Sequence, residues 1–505
     1  MAKNSNNLTG ELKRLSKHSA TYGIAQILNR IVGFLLIPLY THYLTTNDYG
    51  ILQLVGITIE IIGIVISLGI SDAIYRFYYD TDDPKEQKSI FSTALVGVFI
   101  TTTPFLIALV PISGKAAAWI LEDSNQGIYI ILALANLYLS NMVELFYTYL
   151  RVKEKSAVYL IFSIVKTTAN LLLIIFFIVY LEKGLIGIFL GNLIVSAVFA
   201  VITLPYLIMQ FGVRLSIPAA KNMLRYSLPI IPANLASLIV NASDRYFIRG
   251  YLSVADVGIY TLGYRLGNVI HYFIRVPFMQ IWAPRRFALY KDGAPPEIFA
   301  KIATYYMALM IFSGLAVSIF VHDIIKIISP AEYWYAANYT PAIALAYIVY
   351  SLDNHVGLGI SIVKKTEYWS YVNFAMAGVN LILNYVLISN YGVWGAVVST
   401  FVSITFKVVA LHLIGDRFFP IPFEWMRMAG FLLVGIVIYY LSRIVGKDPL
   451  WLALTFDTLL VMSYPVALWA VGLISDLEKK KIKEISGNYS TMIAAKIKSR
   501  RERHR

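Results

Sequence analysis

A chain of 505 residues that is 58% hydrophobic and only 14% charged, with a mean hydropathy of +0.66, falls outside the range of soluble domains, which carry about 25% charged residues. The absence of cysteine excludes disulfides, thiolate metal sites and thiol nucleophiles. A formal net charge of +14 would suggest nucleic acid in a soluble protein, but here the basic residues sit in short loops and a tail, so no nucleic-acid partner is expected.

A bilayer core takes roughly 20 mostly apolar residues per helix. After a cytoplasmic segment (1–18) with Lys13, Arg14 and Lys17 comes a first run at 19–44, too long for a signal h-region and without a small-residue cleavage site. Runs follow at 49–71, 89–113, 127–150, 156–181 and 184–210, completing an N-lobe of six spans (19–210). A C-lobe (224–414) holds spans 7–12 at 224–248, 254–280, 300–322, 336–361, 366–388 and 392–414. Two further spans (424–445 and 449–474, within 424–474) precede a basic cytoplasmic tail (475–505) expected to rest on anionic lipid. The breaks are turn-like or charged, as at Asp80–Pro84, Glu182–Gly184 and Asp292–Pro296. Alternating ten-residue segments of a membrane barrel are absent. The expected fold class is an all-α integral membrane protein of about 14 transmembrane helices.

Orientation follows from Lys and Arg placement. The side holding both termini receives about 31 basic residues and the other about 7, while Arg30, Lys166, Arg265, Arg275 and Lys407 fall inside spans. Both termini are therefore expected in the cytoplasm, with the chain multi-pass in a cell (inner) membrane.

An internal repeat is visible. YLTTNDYGILQL (43–54) recurs as YLSVADVGIYTL (251–262) at an offset of 208. Lys155-Ser156 and Asn170-Leu171 recur as Lys365-Thr366 and Asn380-Leu381 at an offset of 210, and Gly184 and Gly187 recur as Gly392 and Gly395. Six spans per repeat is an even number, so two six-helix lobes should share orientation about a pseudo-two-fold along the membrane normal, with two extra helices outside the repeat.

Ionisable groups inside a bilayer cost at least ~2.5 kcal/mol and usually face a cavity. At 100° per residue, Thr261, Tyr264, Arg265, Asn268, His271, Tyr272 and Arg275 share an arc of about 120° on span 8. Span 1 aligns Tyr22, Gln26, Asn29, Arg30 and Tyr40, and span 2 aligns Gln53, Glu60, Ser67 and Ser71. Span 7 aligns Asn234, Ser237, Asn241, Asp244 and Arg245. Such stripes suit a water-filled cleft between two bundles. Arg30, Lys166 and Arg265 lie near mid-span, opposed mainly by Glu60, and an arginine fork binds phosphate oxygens. An anionic head group would suit that cleft. Arg275, near the cytoplasmic end of its span, is explained equally by snorkelling. Glu60 is either a coupling group or an ion-pair partner for Arg30. Most of the 36 Tyr and 8 Trp belong to interfacial belts.

No G-x-x-x-x-G-K-[ST] or H-E-x-x-H motif occurs, which argues against ATP hydrolysis and zinc hydrolysis by this chain. Three rival readings remain. A cation-coupled drug antiporter would be favoured by an acid-rich cleft. A membrane glycosyltransferase or polymerase would need acidic catalytic residues and a sizeable outer loop. A scaffold in a cell-wall assembly complex would need neither arginine.

At the repeated Tyr-Leu-x-x-x-Asp-x-Gly-Ile segment, with Asp48-Tyr49-Gly50, the sequence resembles the polysaccharide-transport (Wzx-type) lipid-linked oligosaccharide flippases of the multidrug/oligosaccharidyl-lipid/polysaccharide exporter superfamily. The resemblance implies a non-enzymatic flippase for undecaprenyl-pyrophosphate-linked oligosaccharide, working by alternating access in cell-surface polysaccharide biosynthesis. It implies no cofactor, and coupling to a proton or sodium gradient, for which Glu60 is the acidic candidate. Implied substrate-binding residues are Arg30 and Arg265, with Lys166, Asn29, Asn268, Arg275, Asn234 and Asn241 from the polar stripes and no metal ligands. Membrane lipids, the lipid-linked sugar and polysaccharide assembly proteins are the implied partners, and spans 13 and 14 are implied as a groove for the polyprenyl tail.

Overall fold

The computed structural model describes residues 28–444, 449–476 and 478–480. Segment 1–18, residues 19–27 of the first run and the tail from Lys481 onward lie outside the described residues. Every regular element among the described residues is helical. The chain passes through α1 (residues 28–43), α2 (Thr46–Ser67), α3 (Ile70–Tyr78), α4 (Pro84–Leu109), α5 (Ser113–Leu121), α6 (Gly127–Val152), α7 (Ser156–Ile175) and α8 (Gly184–Phe211). It continues through α9 (Ile217–Ser227), α10 (Ile230–Tyr251), α11 (Val254–Gly267), α12 (Val276–Lys291), α13 (Pro296–Ile328) and α14 (Ala336–Tyr350). The short α15 (Asp353–Val356) and α16 (Leu358–Ile362) lead to α17 (Glu367–Tyr391), α18 (Val393–Gly415), α19 (Trp425–Ile444) and α20 (Leu450–Ala470).

Among the described residues, twelve helical segments are long and apolar enough to cross a membrane, and each falls on one of the fourteen runs. The protein is thus an all-α, multi-pass membrane protein. The two runs outside that count have identifiable causes. Only residues 28–44 of the first run are described, 28–43 of them as α1. The eighth is helical but interrupted: α11 stops at Gly267, a π-helical turn occupies His271–Arg275, and α12 carries Pro277 in its first turn. Outward faces present large apolar side chains, such as Val201 at 72% and Met209 at 85% exposure, as expected where lipid is the solvent.

Packing divides the chain into two compact units, one of residues 1–265, 324–339 and 366–407 and the other of 266–323, 340–365 and 408–505. In the first, the repeated motif has a mechanical purpose. Thr45 caps α2 by accepting from the Asp48 amide (3.1 Å) while donating to the Asp48 carboxylate (2.8 Å). Ser253 and Asp256 repeat both bonds at the start of α11, at 2.6 and 3.1 Å. Two residues past each aspartate stands a glycine. A Cβ on Gly50 would lie 1.9 Å from the Val254 carbonyl oxygen, and one on Gly258 would lie 2.1 Å from that of Thr46. Thr46 and Val254 are themselves equivalent at the offset of 208, so the two helix starts grip each other reciprocally. The repeated Asp and Gly therefore build a helix pair rather than a reaction centre.

Elsewhere in this unit α6 packs along α8, and α10 lies against both α2 and α17. An aromatic cluster with Phe91 stacked on Phe211 at 4.4 Å fills the ends of α4 and α8. In the second unit α19 packs on α20, and the Tyr464 hydroxyl donates to the Phe431 carbonyl at 3.2 Å. Just past α20, burial pushes the Glu478 carboxyl up, but bonds from Arg427, Tyr305 and Ser475 outweigh that and hold it down at about 2.

Two expectations follow. Gly50→Ala and Gly258→Ala should each cost about 2 kcal/mol or more through overpacking, and their costs should not add because they share one interface. Gly378→Ala, whose added Cβ meets nothing within 4 Å, should be neutral or stabilising; tryptophan-fluorescence melting distinguishes the three. Glu478 contributes stability present above its unfolded pKa of about 4.3 and lost as pH falls toward about 2. The melting difference between wild type and Glu478→Gln should therefore stay flat from pH 8 to 5 and shrink below that.

Candidate functional site

Within the first unit the second span is broken. Leu68 and Gly69 both adopt left-handed backbone, at φ 48° and 63°, and separate α2 from α3. For leucine that conformation is strained. The break is held where Gly69 approaches Ser227 at the end of α9, close enough that a Cβ would lie 2.9 Å from the serine Cβ. Interrupted helices at membrane depth persist where they line a cavity or are buried in protein. A cavity of about 140 Å³ opens here, with Ser67, Asp72, Asn141, Glu144 and Asn234 on its wall.

A larger cavity of about 370 Å³ is also lined by Glu144. Helical spacing explains its polarity. On α7, Ser163, Lys166, Thr167 and Asn170 recur at three and four residues and so share a face. On α6, Asn136, Ser140 and Glu144 recur at every fourth residue, and on α8 Asn192 and Ser196 do the same. From α1, Asn29 spans the space, donating to Ser163 at 3.1 Å and accepting from Thr167 at 2.6 Å. Ser196 donates to Asn136 at 2.7 Å. Glu144 is ion-paired with Arg151. Lys166, by contrast, has neither hydrogen bond nor ion pair among the described residues, and the buried Asn170 Oδ1 accepts no hydrogen bond. Asn136, Asn170, Asn192 and Ser196 lie outside the stripes read on spans 1, 2, 7 and 8, although their spacing carries the same helical signal.

Arg265, on α11, is half-buried. Its guanidinium donates to the neutral Gln53 side chain at 3.2 Å and lies 5.6 Å from the Tyr49 ring centroid. Among the described residues no carboxylate comes within ion-pair distance of it. Arg30 on α1 and Glu60 on α2 are exposed, and Glu60 forms no ion pair among the described residues.

Other stripe residues are engaged structurally. Arg245 is buried against Asp244 at 2.6 Å, stacks 4.2 Å from the Tyr264 centroid and donates to the Asn241 carbonyl at 2.8 Å; the Tyr260 hydroxyl donates to Asp244. The exposed Asn241 side chain turns back to the Ser237 carbonyl at 2.7 Å. Across α10, α17 and α18, Ser243, Asn380, Asn384, Ser399 and Ser403 form a hydrogen-bond network in which the Asn384 Oδ1 accepts no bond. In the second unit Arg275 is buried in an ion pair with Asp353 at 2.7 Å, with its guanidinium 4.4 Å from the Tyr350 centroid. Asn268, also in that unit, is buried with its Oδ1 unbonded.

Comparison with known proteins adds four findings. Residues 15–289 match the family described as polysaccharide biosynthesis protein. A probable low-salt glycan biosynthesis flippase, Agl15 of Haloferax volcanii, is 20% identical over 451 residues, covering 86% of this chain and 92% of that one. The fold is similar to that of the lipid II flippase MurJ in an inward closed conformation, with a TM-score of 0.69, 14% identity and coverage of 88% of this chain and 98% of that one. An inward-facing multidrug resistance MATE family transporter is similar at a TM-score of 0.63 and 14% identity, over 79% and 94% of the two chains.

The engaged pair gives a direct test. Asp244→Ala strands a buried guanidinium and should cost about 3–5 kcal/mol, whereas Asp244→Ala with Arg245→Met should recover most of the loss. Thermal melting of the three proteins measures this.

Proposed function

The chain belongs to the polysaccharide biosynthesis protein family, and from that premise we propose that it is a flippase carrying an undecaprenyl-pyrophosphate-linked oligosaccharide from the cytoplasmic to the outer leaflet. The observation that carries the reading is Arg265: a guanidinium near mid-span held by neutral Gln53 and the Tyr49 ring, with its charge unmatched by any carboxylate among the described residues. A bare cation at that depth is costly, and a pyrophosphate offers oxygens that a guanidinium binds bidentately. Agl15, a probable low-salt glycan biosynthesis flippase, and MurJ, a lipid II flippase, support the same substrate class.

In this mechanism the head group enters from the cytoplasm and its phosphates meet Arg265 and Arg30. The polar side chains of Asn29, Asn234 and Asn241 and the Lys166 amine lie along the first unit's polar surfaces and serve the sugar. In the second unit Asn268 and the Arg275–Asp353 pair are charged and polar groups that respond as access alternates. The polyprenyl tail remains in hydrocarbon, with the two last spans as its groove. The protein then exposes the head group to the opposite leaflet, driven by the tighter binding of one state than the other. Glu60, exposed on α2, is the group through which a proton or sodium gradient would act. Both termini face the cytoplasm in this scheme, and assembly proteins receive the product at the outer face.

Reconstituted liposomes carrying a fluorescent short-chain polyprenyl-pyrophosphate oligosaccharide test the proposal. Wild-type protein should accelerate exposure of the lipid to an impermeant quencher. Arg265→Gln and Arg30→Gln should slow it at least tenfold with unchanged melting, and Glu60→Gln should remove any dependence on an ion gradient. Full exchange in Arg265→Gln would sink the phosphate role. Absence of exchange with several head groups would redirect attention to a cation-coupled drug antiporter or a membrane glycosyltransferase.

A further inference from the structure

The cavity lined by α1, α6, α7 and α8 has a chemistry that selects its occupant. Four carboxamides, those of Asn29, Asn136, Asn170 and Asn192, contribute to one wall system of about 370 Å³. A carboxamide is both donor and acceptor, which is the pattern a sugar hydroxyl presents in return. Tyr147 and Tyr159, with ring centroids 5.0 Å apart, add aromatic surface to the same cavity. The volume sits at the low end of the roughly 300–1,000 Å³ of small-molecule sites, which suits one or two sugar rings. A hydrocarbon tail would find polar walls here.

Charge narrows the choice further. Glu144 attracts Lys166 across the cavity but is ion-paired with Arg151, so the three groups together carry one net positive charge, with Lys166 at the eleventh of the twenty residues of α7. The cavity therefore keeps one positive charge and repels inorganic cations. We infer that this cavity binds an acidic sugar of the transported head group, a uronate-type ring whose carboxylate pairs with Lys166 while its hydroxyls meet Asn29, Asn136, Asn170 and Asn192. This rests on the flippase reading for its source of sugar, but the ligand contact is separate from Arg265.

The test uses the full chain in nanodiscs, with methyl glucuronide, methyl glucoside and farnesyl pyrophosphate as probes, read by saturation-transfer NMR and competition. Wild-type protein should bind the glucuronide at least tenfold more tightly than the glucoside. Lys166→Met should abolish that preference so that the two glycosides bind alike, Lys166→Arg should retain it, and Asn136→Leu should weaken both glycosides. Equal binding of the two glycosides by wild type, or a preference surviving in Lys166→Met, overturns the inference. Loss of farnesyl pyrophosphate binding in Lys166→Met as large as the loss of glucuronide binding also overturns it, by assigning the amine to phosphate. Farnesyl pyrophosphate binding that depends on Arg265 reports on the flippase reading independently, so either idea can fail while the other stands.

Discussion

The close approach of two helix starts governs the first unit. At Gly50 and Gly258 the backbones of α2 and α11 come together until neither could bear a Cβ without meeting a carbonyl oxygen. Glycine costs helix stability of roughly 0.5–1 kcal/mol against alanine, so its presence in both helices reflects the contact it permits. Thr45–Asp48 and Ser253–Asp256 close the exposed amides at each start. Everything one to two turns further along inherits this register. Gln53, one turn past Gly50, meets Arg265, two turns past Gly258. Tyr49 lies beside the same guanidinium and packs edge-on to Tyr333 at 6.0 Å.

The two repeats share this joint and then diverge. Asn170 and Asn380 are equivalent at an offset of 210, yet their surroundings differ. Asn380 is buried in a network with Ser243, Ser399, Ser403 and Asn384. Asn170 borders an open cavity with its carbonyl oxygen unbonded. In a low-dielectric interior an unpaired polar group is expensive, whereas a side chain bonded at both its oxygen and its nitrogen, as Asn380 is, rigidifies the structure. At these equivalent positions the second repeat commits its polar residues to internal cohesion, while the first keeps a polar chamber next to a broken helix. α1 and α6–α8 thus line a polar cavity in the first unit that has no counterpart around Asn380 among the described residues.

Membership of a polysaccharide biosynthesis family and a transporter fold shared with MurJ and MATE proteins accord with such a chamber. A fold alone does not choose between a lipid-linked sugar and a drug cation. The distinction falls to the charge left over after internal pairing. Asp244, Glu144 and Asp353 are taken by Arg245, Arg151 and Arg275, whereas Lys166, Arg265 and the exposed Glu60 form no ion pair among the described residues.

Hydrophobic run length determined the membrane class, and self-similarity at a fixed offset singled out the two equivalent helix starts that pair, because both signals depend only on residues close in sequence or on that offset. Helical periodicity also placed Arg265 and Gln53 on polar stripes. It could not say what stood opposite each stripe. Asp353 lies 78 residues beyond Arg275, and no local pattern joins them. Asp244 and Arg245 are adjacent, but only the fold buries them under Tyr260 and Tyr264. The interruption of the eighth span at Gly267 and His271–Arg275 was likewise hidden in an ordinary-looking run. Sequence fixes the angle at which a side chain leaves its helix, whereas the neighbour that neutralises it, or leaves it facing a cavity, is set by helix packing across long separations.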